Sequence, residues 1–160
     1  MNFKIAKKTK MQKQEGGMSL VEITAIIAIS AILSLIAVTS FFTLRDKHAV
    51  SKDTDSIVSM IEKVKGMSLN RKNDSSYGVV FATSTVTSYA GTSFASGNVL
   101  SVYTLENSVE LRNISLTGSK KEIHFTKITG APNATGTISV TGKNHSKTIT
   151  IFGTGIIESN

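Results

Sequence analysis

Gly16-Gly17-Met18-Ser19-Leu20-Val21-Glu22 leads directly into Ile23 to Phe42, twenty residues without an Asp, Glu, Lys or Arg. Wound as a helix at about 1.5 Å per residue, such a run covers roughly 30 Å, the hydrocarbon thickness of a bilayer. The competing reading is a buried core helix of a soluble protein. The length and uniformity of the run, and its flanking by Lys13 and Arg45, argue for a span. Ala25, Ala28, Ser30, Ala31, Ser34 and Ala37 spread small residues along it, and small residues permit close helix–helix approach in lipid.

Outward toward the N-terminus, residues 1–17 carry Lys4, Lys7, Lys8, Lys10 and Lys13 against a single acid, Glu15. A secretory signal peptide has a short apolar region followed by a small-residue cleavage site. Here the order is reversed, so cleavage after Gly17 leaves the apolar run on the mature chain. The positive charge N-terminal to the span keeps this leader cytoplasmic and sends the C-terminus across the membrane. Glu22 is the odd residue at the mouth of the run. A charge well inside a bilayer costs about 2.5 kcal/mol or more, and much less near the interface. Glu22 therefore either sits among the headgroups or meets a cationic partner on a neighbouring subunit, which would fix the axial register of packed helices.

Lys13-Gln14-Glu15-Gly16-Gly17-Met18-Ser19-Leu20-Val21-Glu22 resembles the processing site of type IV prepilins and type II secretion pseudopilins. The resemblance covers residues 1 to about 45. It implies that a prepilin peptidase cuts after Gly17 and methylates the new N-terminal residue, Met18. It also implies that Glu22 guides assembly, its partner being the Met18 α-amine of a neighbouring subunit. Met18 departs from the class, which most often has Phe there. The implied partners are the peptidase, other pilin or pseudopilin subunits, an inner-membrane assembly platform, and membrane lipid before assembly. The implied location is the bacterial inner membrane, single-pass with the C-terminal domain outside the cytoplasm, and then a pilus or pseudopilus.

Beyond Arg45 the pattern becomes amphipathic. Val50, Ile57, Ile61, Val64 and Ser68 recur at helical spacing with Met60 and Met67 alongside, while Lys52, Asp55, Glu62 and Lys63 take the opposite face. The spacing predicts one helix from Ser19 to Leu69, roughly 75 Å long at 1.5 Å per residue, ending before the loop Asn70 to Ser76. The only proline, Pro132, lies far outside it.

From Tyr77 the period becomes two. Strands are predicted at Tyr77 to Ala82, Val86 to Tyr89, Val99 to Leu105, Val109 to Leu116, Glu122 to Lys127, Gly136 to Thr141, Lys147 to Phe152 and Gly155 to Ile157, separated by polar turns. The expected fold is α+β: a long N-terminal helix packed on a small antiparallel β domain. The expected divisions are a removed leader (1–17), a membrane or filament-core half-helix (18–44), an amphipathic half-helix (45–70) and a β-rich globular domain (71–160).

Tyr77-Gly78-Val79-Val80-Phe81 and the segments Phe125 to Gly130, Gly136 to Val140 and Thr148 to Ile157 are similar to the first and closing strands of the minor pseudopilin H (GspH/FimT-type) group. Some members of that group bind DNA through basic residues after a glycine in the last hairpin. Here Gly155 is followed by Ile156 and Ile157, so nucleic acid is not an expected partner.

Charge points the same way. The chain carries a formal +7, but removing residues 1–17 leaves 13 basic and 10 acidic side chains, a scattered excess of three. There is no cysteine, hence no disulfide framework. Asp53-Thr54-Asp55 lacks the glycine of a calcium loop, and Gly153-Thr154-Gly155 lacks the third glycine of a dinucleotide loop. Glu122 and His124 share a strand face on which a metal would be conceivable and a solvated surface is the simpler reading. No nucleophile–base–acid arrangement, metal site or cofactor site is expected, and the chain is read as a non-enzyme. The leading expectation is a structural filament subunit of a secretion pseudopilus or type IV pilus. The alternatives are a pilin-like tip adhesin or DNA-binding module, and a membrane-tethered enzyme or sensor with an uncleaved anchor.

Overall fold

The computed structural model describes residues 17–70, 74–118 and 120–160. The leader up to Gly16, and Arg71 to Asn73 of the expected loop, lie outside the described residues. Helix α1 is continuous over Leu20–Leu69. Ser19 stands just before it, its carbonyl accepting the Ile23 N–H at 3.1 Å, which makes it the N-cap. At the other end Asn70 N–H bonds the Gly66 carbonyl at 3.0 Å. The Ser68 hydroxyl then accepts the N–H of Tyr77 at 3.1 Å, tying the first strand to the last helical turn.

Eight strands follow: β1 Tyr77–Phe81, β2 Thr85–Ala90, β3 Asn98–Thr104, β4 Glu110–Leu116, β5 Glu122–Phe125, β6 Gly136–Thr141, β7 Ser146–Ile151 and β8 Ile157–Ser159. They form two four-stranded sheets, β3-β2-β1-β5 and β4-β6-β7-β8. Every ladder is antiparallel. The described residues divide into two compact units, one reaching Thr39 and one running from Ser40 to Asn160. The second unit holds the amphipathic half of α1 and both sheets.

The core of that unit lies where the predicted helix stripe meets the inward residues of the strands. Val50, Ile57, Ile61 and Val64 join Tyr77, Val79, Phe81, Ile123 and Phe125 of the first sheet, and Leu111, Ile138, Val140, Ile149 and Ile151 of the second, in one buried cluster. The fold is α+β, a long helix packed on a small antiparallel β domain. Lys52, Asp55, Glu62 and Lys63 are exposed, as the helical periodicity requires.

Three strand expectations need correction. Gly155 opens no strand: it sits at φ +77° in the turn where its N–H bonds the Phe152 carbonyl, and β8 starts only at Ile157. Strand β5 stops at Phe125 because the chain turns on itself, Gly130 N–H bonding the Thr126 carbonyl at 3.0 Å. Strand β3 runs over Asn98–Thr104, one residue earlier at each end than Val99 to Leu105, and is an edge strand exposed along most of its length. Alternation reports a two-faced strand but not whether either face is covered.

Two glycines carry opposite constraints. At Gly136, φ is +149° and an added Cβ would collide with the Ser115 carbonyl, beside the point where the β4–β6 ladder slips between Arg112 and Ser115. At Gly66 an added Cβ meets nothing within 4 Å. Glycine in a helix interior costs about 0.5–1 kcal/mol relative to alanine, and less in the last turn, where Gly66 lies. Gly66→Ala is therefore expected to raise the thermal midpoint of the full chain in detergent. A lowered midpoint would count against this placement of the residue.

Candidate functional site

The sequence singled out Gly17, Met18 and Glu22, and the structure places them around one helix start. Gly17 precedes the helix, exposed, with open space around any added Cβ. Met18 is exposed as well. Glu22 lies in the first turn of α1, three residues after the N-cap Ser19. That spacing, Ser-x-x-Glu, matches the capping-box sequence pattern, but among the described residues neither side chain makes a hydrogen bond to the helix start; what the position provides is a carboxylate in the first turn, which complements the helix dipole. Among the described residues Glu22 makes no ion pair.

After Glu22 the helix surface is apolar and open. Exposure runs from 45% at Ile23 to 70% at Leu35 across the large hydrophobic side chains up to Phe42. Hydroxyls within the run turn back onto their own helix: Thr24 donates to the Val21 carbonyl at 2.8 Å and Ser34 to the Ser30 carbonyl at 2.7 Å. Their polarity is thereby satisfied without any partner outside the helix, which hydrocarbon demands. This one helix is long and apolar enough to cross a membrane.

In the second unit the helix is fastened by side chains the sequence did not disclose. Both oxygens of buried Asp46 accept backbone N–H groups of the β6–β7 turn, Lys143 at 3.0 Å and Asn144 at 2.8 Å. Fully buried Asp53 reaches the first sheet, accepting the Tyr103 hydroxyl at 2.7 Å and the Glu106 N–H at 2.9 Å. Farther along, Lys65 donates to the Gly155 carbonyl at 2.8 Å. Asp46, Val50, Asp53, Ile57, Ile61, Val64 and Ser68 follow one another at three- and four-residue steps. The carboxylates thus occupy positions of the apolar stripe, and the spacing alone could have found them. Acidic residues are ordinarily assigned to the solvent face, so the pattern concealed them.

Asp55, next to Asp53 but one, is exposed. The two carboxylates of Asp53-Thr54-Asp55 therefore diverge and form no cradle for a cation. Glu122 is likewise engaged, accepting the Phe94 N–H at 2.8 Å and the Tyr89 hydroxyl at 3.3 Å. It secures the β2–β3 loop. Burial, with the Glu122 carboxylate beside it, pushes the Tyr89 hydroxyl well above its ordinary value.

The N–H of Asn144, followed by that of Lys143, holds the Asp46 carboxyl below the ordinary carboxylate range against the opposing effect of burial. A carboxyl depressed in the folded state contributes stability above its unfolded value, and loses it as pH falls through the folded value. Wild type should therefore lose more stability than Asp46→Asn between pH 6 and pH 3, read as urea midpoints of the full chain in detergent. Parallel losses would refute the clasp.

Comparison of the chain with protein-family profiles, curated proteins and solved structures found no match.

Proposed function

We infer that this chain is a structural subunit of a pilus-like filament, made as a membrane prepilin and trimmed by a prepilin peptidase at Gly17–Met18. The observation that carries the reading is the order of features along the chain leading into one helix. A basic leader, a glycine in open chain, a carboxylate in the first helical turn and a charge-free apolar surface succeed one another without a break. An anchor alone accounts for the basic flank and the apolar surface, but not for the glycine and the carboxylate placed between them. The Asp46 and Asp53 clasps support the same reading, because pulling on the helix then loads hydrogen bonds to both sheets and not an apolar contact alone.

In this account the leader leaves, Met18 becomes the methylated N-terminus, and its α-amine pairs with Glu22 of a neighbouring helix. The apolar surface exchanges lipid for other helices, with Ala25, Ala28 and Ala31 permitting close approach. Whether the filament is a secretion pseudopilus or a type IV pilus is a matter of the assembly platform it meets. No residue of the chain is assigned a catalytic role, and no cofactor is required.

Glu22→Ala is the test. The variant should be processed as wild type and remain in the membrane, but be absent from sheared or secreted filament fractions. Normal incorporation would remove the register role from Glu22. The DNA-binding alternative gains nothing from the last hairpin, where Ile156 is exposed beside Gly155 in place of a basic residue.

A further inference from the structure

Sheet edges invite pairing unless they are short, charged, irregular or covered. Of the four edges among the described strands, three are covered, short or charged. The outer edge of β5 is covered by the chain at Pro132–Asn133, through a Phe125–Pro132 bridge and bonds of 2.8 and 3.0 Å between His124 and Asn133. Strand β8 is three residues long and contains Glu158. Strand β4 bears Glu110 and Arg112 and a break in its ladder. The fourth edge, β3, is seven residues long, without a charge or a proline, and is interrupted only by one bulge.

Both faces of β3 offer apolar contact. On one, Val99 and Val102 are 55% and 57% exposed, in register with Tyr89 and Thr87. On the other, a groove of about 420 Å³ runs between α1 and the strand, lined by Met60, Lys63, Met67, Ser88, Leu100 and Ser101. Leu100 is the residue without a ladder partner, since Ser88 pairs with Ser101 and Tyr89 with Val99. Such a bulge re-aims a side chain, here into the groove. Methionines adapt to varied apolar shapes, and among the described residues Lys63 is the one charged residue in this lining.

We propose that β3 is a docking edge for an extended segment of another polypeptide, added as a fifth strand, aliphatic at alternate positions and bearing a carboxylate opposite Lys63. Backbone pairing supplies affinity in this mode of recognition, and alternate side chains supply selectivity. The absence of charge on β3 fits an aliphatic strand, and Lys63 selects an acidic position over a basic one. The proposal is independent of the filament reading.

The test uses the full chain in detergent micelles. Its probe is a fluorescent seven-residue peptide in which valine alternates with threonine, the central threonine replaced by glutamate. Binding should saturate and weaken about tenfold or more, roughly 1.4 kcal/mol, when the amides along one edge of the peptide are N-methylated. Lys63→Glu should weaken the glutamate peptide and favour its lysine counterpart. Indifference to N-methylation of either edge would overturn strand addition, as would absence of saturable binding at millimolar peptide. Self-association of the chain that excludes the peptide would assign the edge to a second copy and overturn the proposed partner.

Discussion

Gly17→Val is expected to leave the leader on essentially every copy of the chain, with the protein still in the membrane and no filament formed. Two facts make the result interpretable. Gly17 precedes the helix, and an added Cβ there meets nothing within 4 Å, so the fold is indifferent to the change. A peptidase that must bring the scissile carbonyl into its site is not indifferent, because a β-branched side chain narrows the backbone conformations available to the substrate. The defect should thus appear in processing and not in stability. Immunoblots resolving leader-bearing from trimmed chain would show it. Processing equal to wild type would refute the assignment of the cleavage site.

The second large effect is expected in the globular unit. Asp53→Ala removes an acceptor shared by the Tyr103 hydroxyl and the Glu106 N–H, and leaves a gap in a fully buried position. Hydrogen bonds to a charged group contribute about 1.5–3 kcal/mol, so the substitution should cost about 2–3 kcal/mol. Asp55→Ala, two residues on and exposed, should stay within about 0.5 kcal/mol. Chemical denaturation of the full chain in detergent compares the two directly. Equal effects would mean that Asp53 does not fasten the helix to the first sheet. The exposed Lys52–Glu106 pair beside it, at 2.8 Å, adds little in water.

These two positions illustrate what could be read from the sequence. The helix was legible throughout because an uninterrupted apolar run from Ile23 to Phe42 passes into Val50, Ile57, Ile61 and Val64 at helical spacing without a proline. Seven of the eight strands were legible from alternation and their ends were not, while β8 was anticipated only at Ile157. Gly155 and Thr126 sit in turns whose geometry depends on bonds to Phe152 and Gly130. The division into two sheets is a matter of long-range pairing, which local pattern does not encode. Within the candidate site, Gly17 and Glu22 stood out because their types conflict with their surroundings, a glycine before an apolar run and an acid at its mouth, whereas Met18 entered only through the resemblance to prepilins. Asp46 and Asp53 conflict with theirs just as strongly. They were masked because each falls among hydroxyl and charged neighbours, such as Lys47, Lys52 and Asp55, that make a solvated face the natural assumption. Burial of a carboxylate becomes intelligible only once its partners, the turn N–H groups or the Tyr103 hydroxyl, are brought alongside by the fold.

The most direct measurement is the intact mass and N-terminal peptide of the full chain expressed with and without the prepilin peptidase of its own source. The filament account predicts a chain starting at Met18 with one added methyl group, seen only when the peptidase is present. A chain that keeps Met1 and its leader in the presence of that peptidase would contradict the account and leave a tethered module with an uncleaved anchor.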